Sequence, residues 1–416
     1  MAHLLMIESW VGANGRLLPK ALCDAGHTYT LLCRNPEHYR EERNTEIHPV
    51  IRYAKSCLVT ETNDVAEILK TIRGRSFDGV LTVCDYYIDI VIEVAAKLGV
   101  PCPFPKDCRV ASRKHLLRKR LDDAGLPNVR FVLADDWSKT EEGAQEIGFP
   151  LVMKPVDLAS SAFVRLVRNH DELKDAFRAL DGFQWNFRGQ KRERLFLLEE
   201  YLLAPEYSVE VVVHDGCPFF LGVTDKSLTG SPFFIESGHM FPAVLEADER
   251  SLLTDYVGAV LRVTNFSKGV VHAEVKLCRD GPKMIEINPR LPGNYIVELI
   301  RSVKGVDLLS VFIELALGEK PRFDDAFGRV SSAAIAFLVP DRSGVVESLS
   351  GVEALSGFSG ITDWCFEDLA DRVVGPVVDN TAYLGYVMGE DEEGLGARRV
   401  VENAIRSLSL RFRSDA

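Results

Sequence analysis

Several things are scarce in the 416-residue sequence. No apolar run approaches the roughly 20 residues that a membrane helix needs, so no membrane partner is expected. The first residues, Met-Ala-His-Leu-Leu-Met-Ile-Glu, have no basic n-region and no cleavage pattern, so no secretory signal is expected. The nine cysteines form no Cys-x-x-Cys pair and are odd in number, which points to free thiols in a reducing cytoplasm. Positive charge is short as well. With 49 basic against 61 acidic residues the net charge is −12, which argues against a nucleic-acid partner. There is no internal repeat and no low-complexity tract. Gly12 and Gly15 follow the first apolar run, but the full dinucleotide glycine pattern is missing and no acidic residue ends the next strand.

The length admits two or three domains with real cores, and 46% hydrophobic with 26% charged residues is ordinary for a globular protein. His3–Ile7, a helical pattern from Leu17 and the strand from Thr28 to Leu32 form a β-loop-α-β unit. A helix capped by Asp64, a strand from Phe77 to Val83 and a helix from Ile88 to Leu98 continue it, so residues 1–104 read as an α/β domain with a parallel sheet. A second unit is expected over 105–328, with a small lobe near 130–203 and a larger one near 204–328. From about Arg329 glycines punctuate short strands, and 329–416 reads as a small α+β module added to the main body.

Val271–Arg290 reads as two strands joined at Asp280-Gly281, a strong hairpin signal. Antiparallel pairing places Glu274 and Glu286 opposite each other, where like charges repel. A cation between them removes the conflict. Two carboxylates with Asn288 suit Mg²⁺, which takes few protein ligands and completes its shell with phosphates. A solvated hairpin face is the plainer alternative.

Other motifs are weaker singly. Ser112 caps a basic helix containing Lys114. Lys154 ends a strand before a loop, Val156–Ala162, whose amides could cover phosphates. Asp171 caps a further helix. Glu206, Ser208 and Glu210 share one face of a strand. Asp225–Pro242 reads as a polar loop. Lys226, Lys276 and His272 are each as consistent with solvated or packed positions as with a site.

In this order, Val152-Met-Lys-Pro, Leu198-Glu-Glu-Tyr-Leu, Pro205-Glu-Tyr-Ser-Val-Glu, His272-Ala-Glu-Val-Lys-Leu and Ile285-Glu-Ile-Asn-Pro-Arg resemble the carboxylate–amine ligases of the ATP-grasp superfamily, over roughly residues 1–330. Glu236-Ser-Gly-His239 after Asp225-Lys226 is similar to the bacterial L-amino acid ligases, and so is the C-terminal module. The resemblance implies an ATP-grasp fold and an acylphosphate route to an amide or peptide bond. It places Lys114 and Lys154 on the phosphates, with Ser160 and Ser161 in the phosphate loop. It gives the adenine amino group to Glu199, the adenine edge to Tyr201 and Leu202, and the ribose to Glu206. It gives two Mg²⁺ ions, with Mn²⁺ as a substitute, to Glu274, Glu286 and Asn288. Arg290 would steady the transferring phosphoryl group, and Glu236 and His239 would face the amino-acid substrates. The phosphate loop departs from the family in lacking glycine, so it should be stiffer. A kinase or carboxylase-like phosphoryl transfer, or a non-catalytic ATP-binding protein, is the competing reading. A homodimer enters by analogy only. The two substrates are not legible.

Overall fold

Apolar runs flanked by glycine turns set the architecture of a computed structural model that describes residues 1–40, 47–323, 328–366 and 368–413. Strands β1 (His3–Ile7), β2 (Thr28–Cys33), β3 (Ser56–Val59) and β4 (Gly79–Leu81) form a parallel sheet in the order β3-β2-β1-β4. The strand order reverses between β1 and β4, and crevices outside strand carboxyl ends at such a point are where open α/β sheets bind ligands. The loop after β1 and the turn after β4 meet there. Gly15 makes this approach close: a Cβ on it would lie 1.7 Å from the Trp10 carbonyl oxygen. Its place in the sequence therefore reflects packing under the β1 loop.

A second, antiparallel sheet is small. Strands β5 (Phe131–Ala134), β6 (Leu151–Pro155), β7 (Arg165–Val167) and β8 (Phe196–Glu200) lie in the order β5-β8-β6-β7. Helices Trp137–Ile147 and His170–Gly182 cover it, and Leu151, Leu173, Phe177 and Phe196 share its core. Asn169, not Asp171, caps the second of these helices, because its side chain accepts from the Glu172 amide. Ser112 likewise is no cap. It ends a short helix, Arg109–Ser112, and the basic helix Lys114–Asp123 starts at Arg113 with no side-chain cap.

The remaining strands in chain order are β9 (Glu206–His214), β10 (Cys217–Thr229), β11 (Ile235–Phe241), β12 (Gly269–Cys278), β13 (Gly281–Asn288), β14 (Ser332–Phe337), β15 (Gly344–Ser350), β16 (Ile361–Phe366), β17 (Val373–Val374), β18 (Gly385–Asp391) and β19 (Ser409–Phe412). Eight of them form one sheet, β13-β12-β9-β10-β11-β14-β18-β16, and β17-β15-β19 form another. The segment Asp225–Pro242, read as a loop, is largely strand: Lys226 pairs with His239 across β10 and β11. The C-terminal part is not merely added on. Met240 on β11 pairs with Ala334 on β14, so main-chain hydrogen bonds carry the large sheet into it. A helix, Ala397–Ser407, precedes β19 at the end of the described chain. The expected second unit runs across residues 324–327, and the third across 367 and 414–416, all outside the described residues.

Candidate active site

The hairpin β12–β13 brings Glu274 and Glu286 into direct register, with a bulge just after Glu274. Asn288 at the end of β13, Lys114 from the helix Lys114–Asp123 and Lys226 on β10 make this tolerable. Asn288 donates to Glu286 at 3.0 Å and approaches Glu274 at 3.4 Å. Lys114 reaches Glu286 at 2.7 Å, and Lys226 reaches Glu274 at 2.6 Å. Burial pushes the Glu286 carboxyl up, but Lys114, followed by Asn288 and Lys154, holds it well below the usual range.

Lys226 is almost inaccessible and also touches Glu206 at 2.9 Å and Glu236 at 3.0 Å. Burial opposes its charge, yet the three carboxylates keep the ammonium well above its ordinary value. His272 lies between Glu210 at 3.0 Å and Glu274 at 3.3 Å. Burial disfavours its imidazolium, and Glu210 more than offsets this, raising it to about 9. Glu210 is thus the fixed partner of His272, also held by Ser208 and Thr224.

One cavity is walled by Val129, Val152, Val164, Tyr201, Leu202, Phe234 and Ile285, with Lys114, Lys154, Glu199, Glu206 and Lys276 among its polar groups. A second cavity lies at the strand-order reversal, against Trp10, Asn14, Asp85, His272, Arg290, Asn294, Asn380 and Thr381. Ser160, Ser161, Glu236, Glu274 and Glu286 border both. The carboxylate pair therefore stands where the two cavities meet. Arg290 donates through Nε to Asp85 at 2.7 Å, and Asn14 has a buried side-chain oxygen with no partner.

Two of the expected site residues have protein partners of their own. Both oxygens of the Glu199 carboxylate, expected at adenine, are engaged by cations. Arg118 and Lys154 each take one of its oxygens at 2.7 Å, and it is 3% exposed. Burial raises it, and Arg118, then Lys154, bring it below the usual range. Its work is to hold Lys154. Glu200 pairs instead with Arg130 and Lys283. The Leu202 carbonyl accepts from Lys276 at 3.2 Å, so the edge at Tyr201 and Leu202 is braced from β12. His239 does not border the second cavity. Its Nε2 meets Asn294 at 3.1 Å and Glu236 at 3.4 Å, which puts it behind Glu236 as a positioning group.

Arg118, Asp85 and Asn380 escaped the sequence reading. The first had a signal: it stands four residues after Lys114 on one helix face. Asn380 accepts from the Glu236 amide at 3.0 Å, and its own amide meets the Ser160 carbonyl at 3.3 Å. It ties the phosphate loop to β11. That loop holds Ser160, Ser161 and Phe163 at φ +60°, +56° and +60°, left-handed backbone without glycine.

The residues fit a magnesium nucleotide. Among the described residues no three His, Cys, Asp or Glu side chains gather to hold a metal alone. Two carboxylates and the Asn288 amide do converge, and turning that amide about its last bond would present its oxygen beside them, a set that suits an ion whose shell is completed by phosphates. Lysine ammoniums balance those carboxylates in the structure, and the apolar walls of the first cavity suit a flat base.

Residues 147–298 match an ATP-grasp domain, and residues 336–413 match L-amino acid ligase C-terminal domain 2. The chain therefore carries an ATP-grasp domain over residues 147–298. Its C-terminal part is of the L-amino acid ligase kind. An L-amino acid ligase from Bacillus licheniformis shares the fold, with a TM-score of 0.81 and 18% identity over 100% of this chain and 99% of that one. An uncharacterized protein of Sinorhizobium fredii, y4rH, is 28% identical over 96% of this chain and 84% of its own length. Carnosine synthase 1 of Gallus gallus is 29% identical over 71% of this chain, which spans only 31% of that relative.

Proposed function

We propose that the chain joins a small carboxylic acid, an amino acid or a close relative, to an amine. The observation that carries this is the shared border of the two cavities at Glu274 and Glu286. A nucleotide in the first cavity would direct its terminal phosphate at that border, and an acid in the second would meet it from the other side.

Magnesium at Glu274, Glu286 and Asn288, two ions in this reading, supplies charge neutralisation between phosphate and carboxylate. Lys114 and Lys154 bind phosphate oxygens, and Ser160 and Ser161 close over them. Tyr201 and Leu202 meet the base, and Glu206 the ribose. Arg290 faces the transferring group, where a planar fixed charge suits a trigonal phosphoryl centre. A carboxylate oxygen of the acid attacks the γ-phosphorus, and the bond to the β-phosphate oxygen breaks, giving ADP and an acylphosphate. The amine then attacks the acyl carbon, the carbon–oxygen bond to phosphate breaks, and the amine proton leaves. Glu236 orients the amino-acid ammonium, backed by His239 and Asn294. Relatives named for joining amino acids, such as the alanine–anticapsin ligase of Bacillus subtilis, 23% identical over 61% of this chain and 57% of their own length, support the substrate class.

No described helix is long and apolar enough to cross a membrane. The nine cysteines are free, which favours a cytoplasmic setting; a dimer is the assembly we expect. The test is ADP release across a panel of amino acids and small acids, singly and in pairs, with hydroxylamine present. Hydroxamate from a single acid supports the acylphosphate. No ADP above background with any pair would sink the proposal.

A further inference from the structure

The turn Asp85–Tyr87, just after β4, is touched by three parts of the chain that are remote in sequence. Asp85 divides its carboxylate. One oxygen accepts from Arg290 Nε at 2.7 Å, and the other accepts from the Trp10 indole N–H at 2.8 Å. The Trp10 ring in turn lies under the Arg188 guanidinium, 5.4 Å from its centroid. Arg188 belongs to a small projection between the helix His170–Gly182 and β8, closed by the bridge of Trp185 with Lys191. This projection is part of the small lobe, yet its contacts are with the parallel-sheet domain.

Those contacts are specific. Arg188 is 7% exposed, and it donates to the Ser9 carbonyl at 2.5 Å with Glu8 3.7 Å away. Gln190 donates to the Tyr86 carbonyl at 2.9 Å. The phosphate loop arrives at the same turn, where the Ala159 amide donates to the Tyr86 hydroxyl at 3.3 Å. Two small-lobe elements, the projection and the phosphate loop, therefore rest on the turn whose Asp85 holds Arg290. A buried guanidinium is costly without its partners, so Arg188 is favourable in this socket and nowhere between socket and solvent. An arginine has several rotatable bonds, and pinning Nε fixes the plane of its remaining donors.

We propose that this turn couples docking of the small lobe to the placement of Arg290, with Asp85 as the positioning residue and Trp10 as the link to Arg188. The inference rests on the ligase reading of Arg290. It deepens that reading by making closure over the nucleotide and alignment of the phosphoryl-facing arginine one event. By linkage, what aligns Arg290 also favours docking.

The test uses the full chain, with kcat and the ATP KM for ADP release on the best substrate pair. A second readout is hydrogen exchange of residues 184–192 with and without a magnesium complex of a non-hydrolysable ATP analogue. Trp10→Phe keeps an aromatic ring, though a smaller one, and removes the indole N–H, and Arg188→Ala removes the clamp. Each should lower kcat about 10- to 100-fold, with a much smaller change in ATP KM. Arg188→Ala combined with Asp85→Asn should lose less than the product of the two single losses, although these side chains do not touch. Analogue-induced protection of 184–192 should be present in the parent and lost in Arg188→Ala. Unchanged kcat in Trp10→Phe, multiplicative losses in the double variant, or full protection in Arg188→Ala would each overturn the coupling. Should Arg188→Ala not fold, Arg188→Lys takes its place with the same expectations. Should the parent turn over no pair, the ligase reading fails separately. The exchange arm then decides the coupling: protection lost in both Arg188→Ala and Trp10→Phe upholds it, and protection kept in either refutes it.

Discussion

The Lys226 ammonium on β10 stands 2.6 Å from the Glu274 carboxylate on β12, reaching across the intervening β9 with almost no access to water. The same ammonium touches Glu206 and Glu236, at 2.9 and 3.0 Å. One buried cation thus joins groups proposed for ribose, metal and amino acid. Removing it leaves three carboxylates facing one another. Lys226→Met should lose about 3–5 kcal/mol of stability, the cost of breaking a buried ion pair. Part should return when Mg·ADP binds, because Mg²⁺ beside Glu274 would supply positive charge where the ammonium is missing. Thermal melts with and without Mg·ADP check both; equal shifts in variant and parent would contradict the account.

Glu286 is the carboxylate that Lys114 and Asn288 address together. Glu286→Gln preserves shape and removes the charge proposed to bind metal. The fold should remain, and kcat should fall at least about 100- to 1,000-fold. Circular dichroism and ADP release measure the two parts. Near-parental turnover would refute the metal assignment.

Glu199 and Glu200 are adjacent but should respond differently. Glu199→Gln disturbs a buried cluster with Arg118 and Lys154, and should cost about 3–5 kcal/mol while weakening nucleotide binding. Glu200→Gln loosens one pair with the exposed Arg130 and one with the half-buried Lys283, and should cost only about 1 kcal/mol. Denaturant titration of both variants, followed by nucleotide titration, separates them.

The phosphate loop stores strain at Ser160, Ser161 and Phe163. A non-glycine residue in this region costs about 1–2 kcal/mol. Phe163→Gly would also lose ring packing, so Ser161→Gly is the cleaner probe. It should leave stability unchanged or raise it by up to about 1 kcal/mol, whereas Ser161→Val should lower it. Denaturation midpoints of the two variants give the sign.

The hairpin at Asp280-Gly281 was legible because turn chemistry and alternation agree there. Lys154 was legible because a strand ends on it before small residues. Lys226 was not. Its strands carry Asp225, Lys226, Glu236 and His239 where a sheet usually places apolar side chains, so site chemistry erases the strand pattern. Asp85 left no local signal either, since its partner Arg290 lies 205 residues away. The C-terminal strands read as an appended module because the ladder from β11 to β14 pairs segments far apart in the chain. The ion pairs of Glu199 were hidden for a related reason: a motif names the residue but not which cations its carboxylate holds.

The most direct measurement follows oxygen. The acid substrate is labelled with ¹⁸O in its carboxyl group, turned over with ATP and the amine, and the released phosphate is analysed by mass spectrometry. An acylphosphate formed at the border of the two cavities predicts one ¹⁸O atom in each phosphate released by product formation. Phosphate without label, accompanied by amide product, would contradict it.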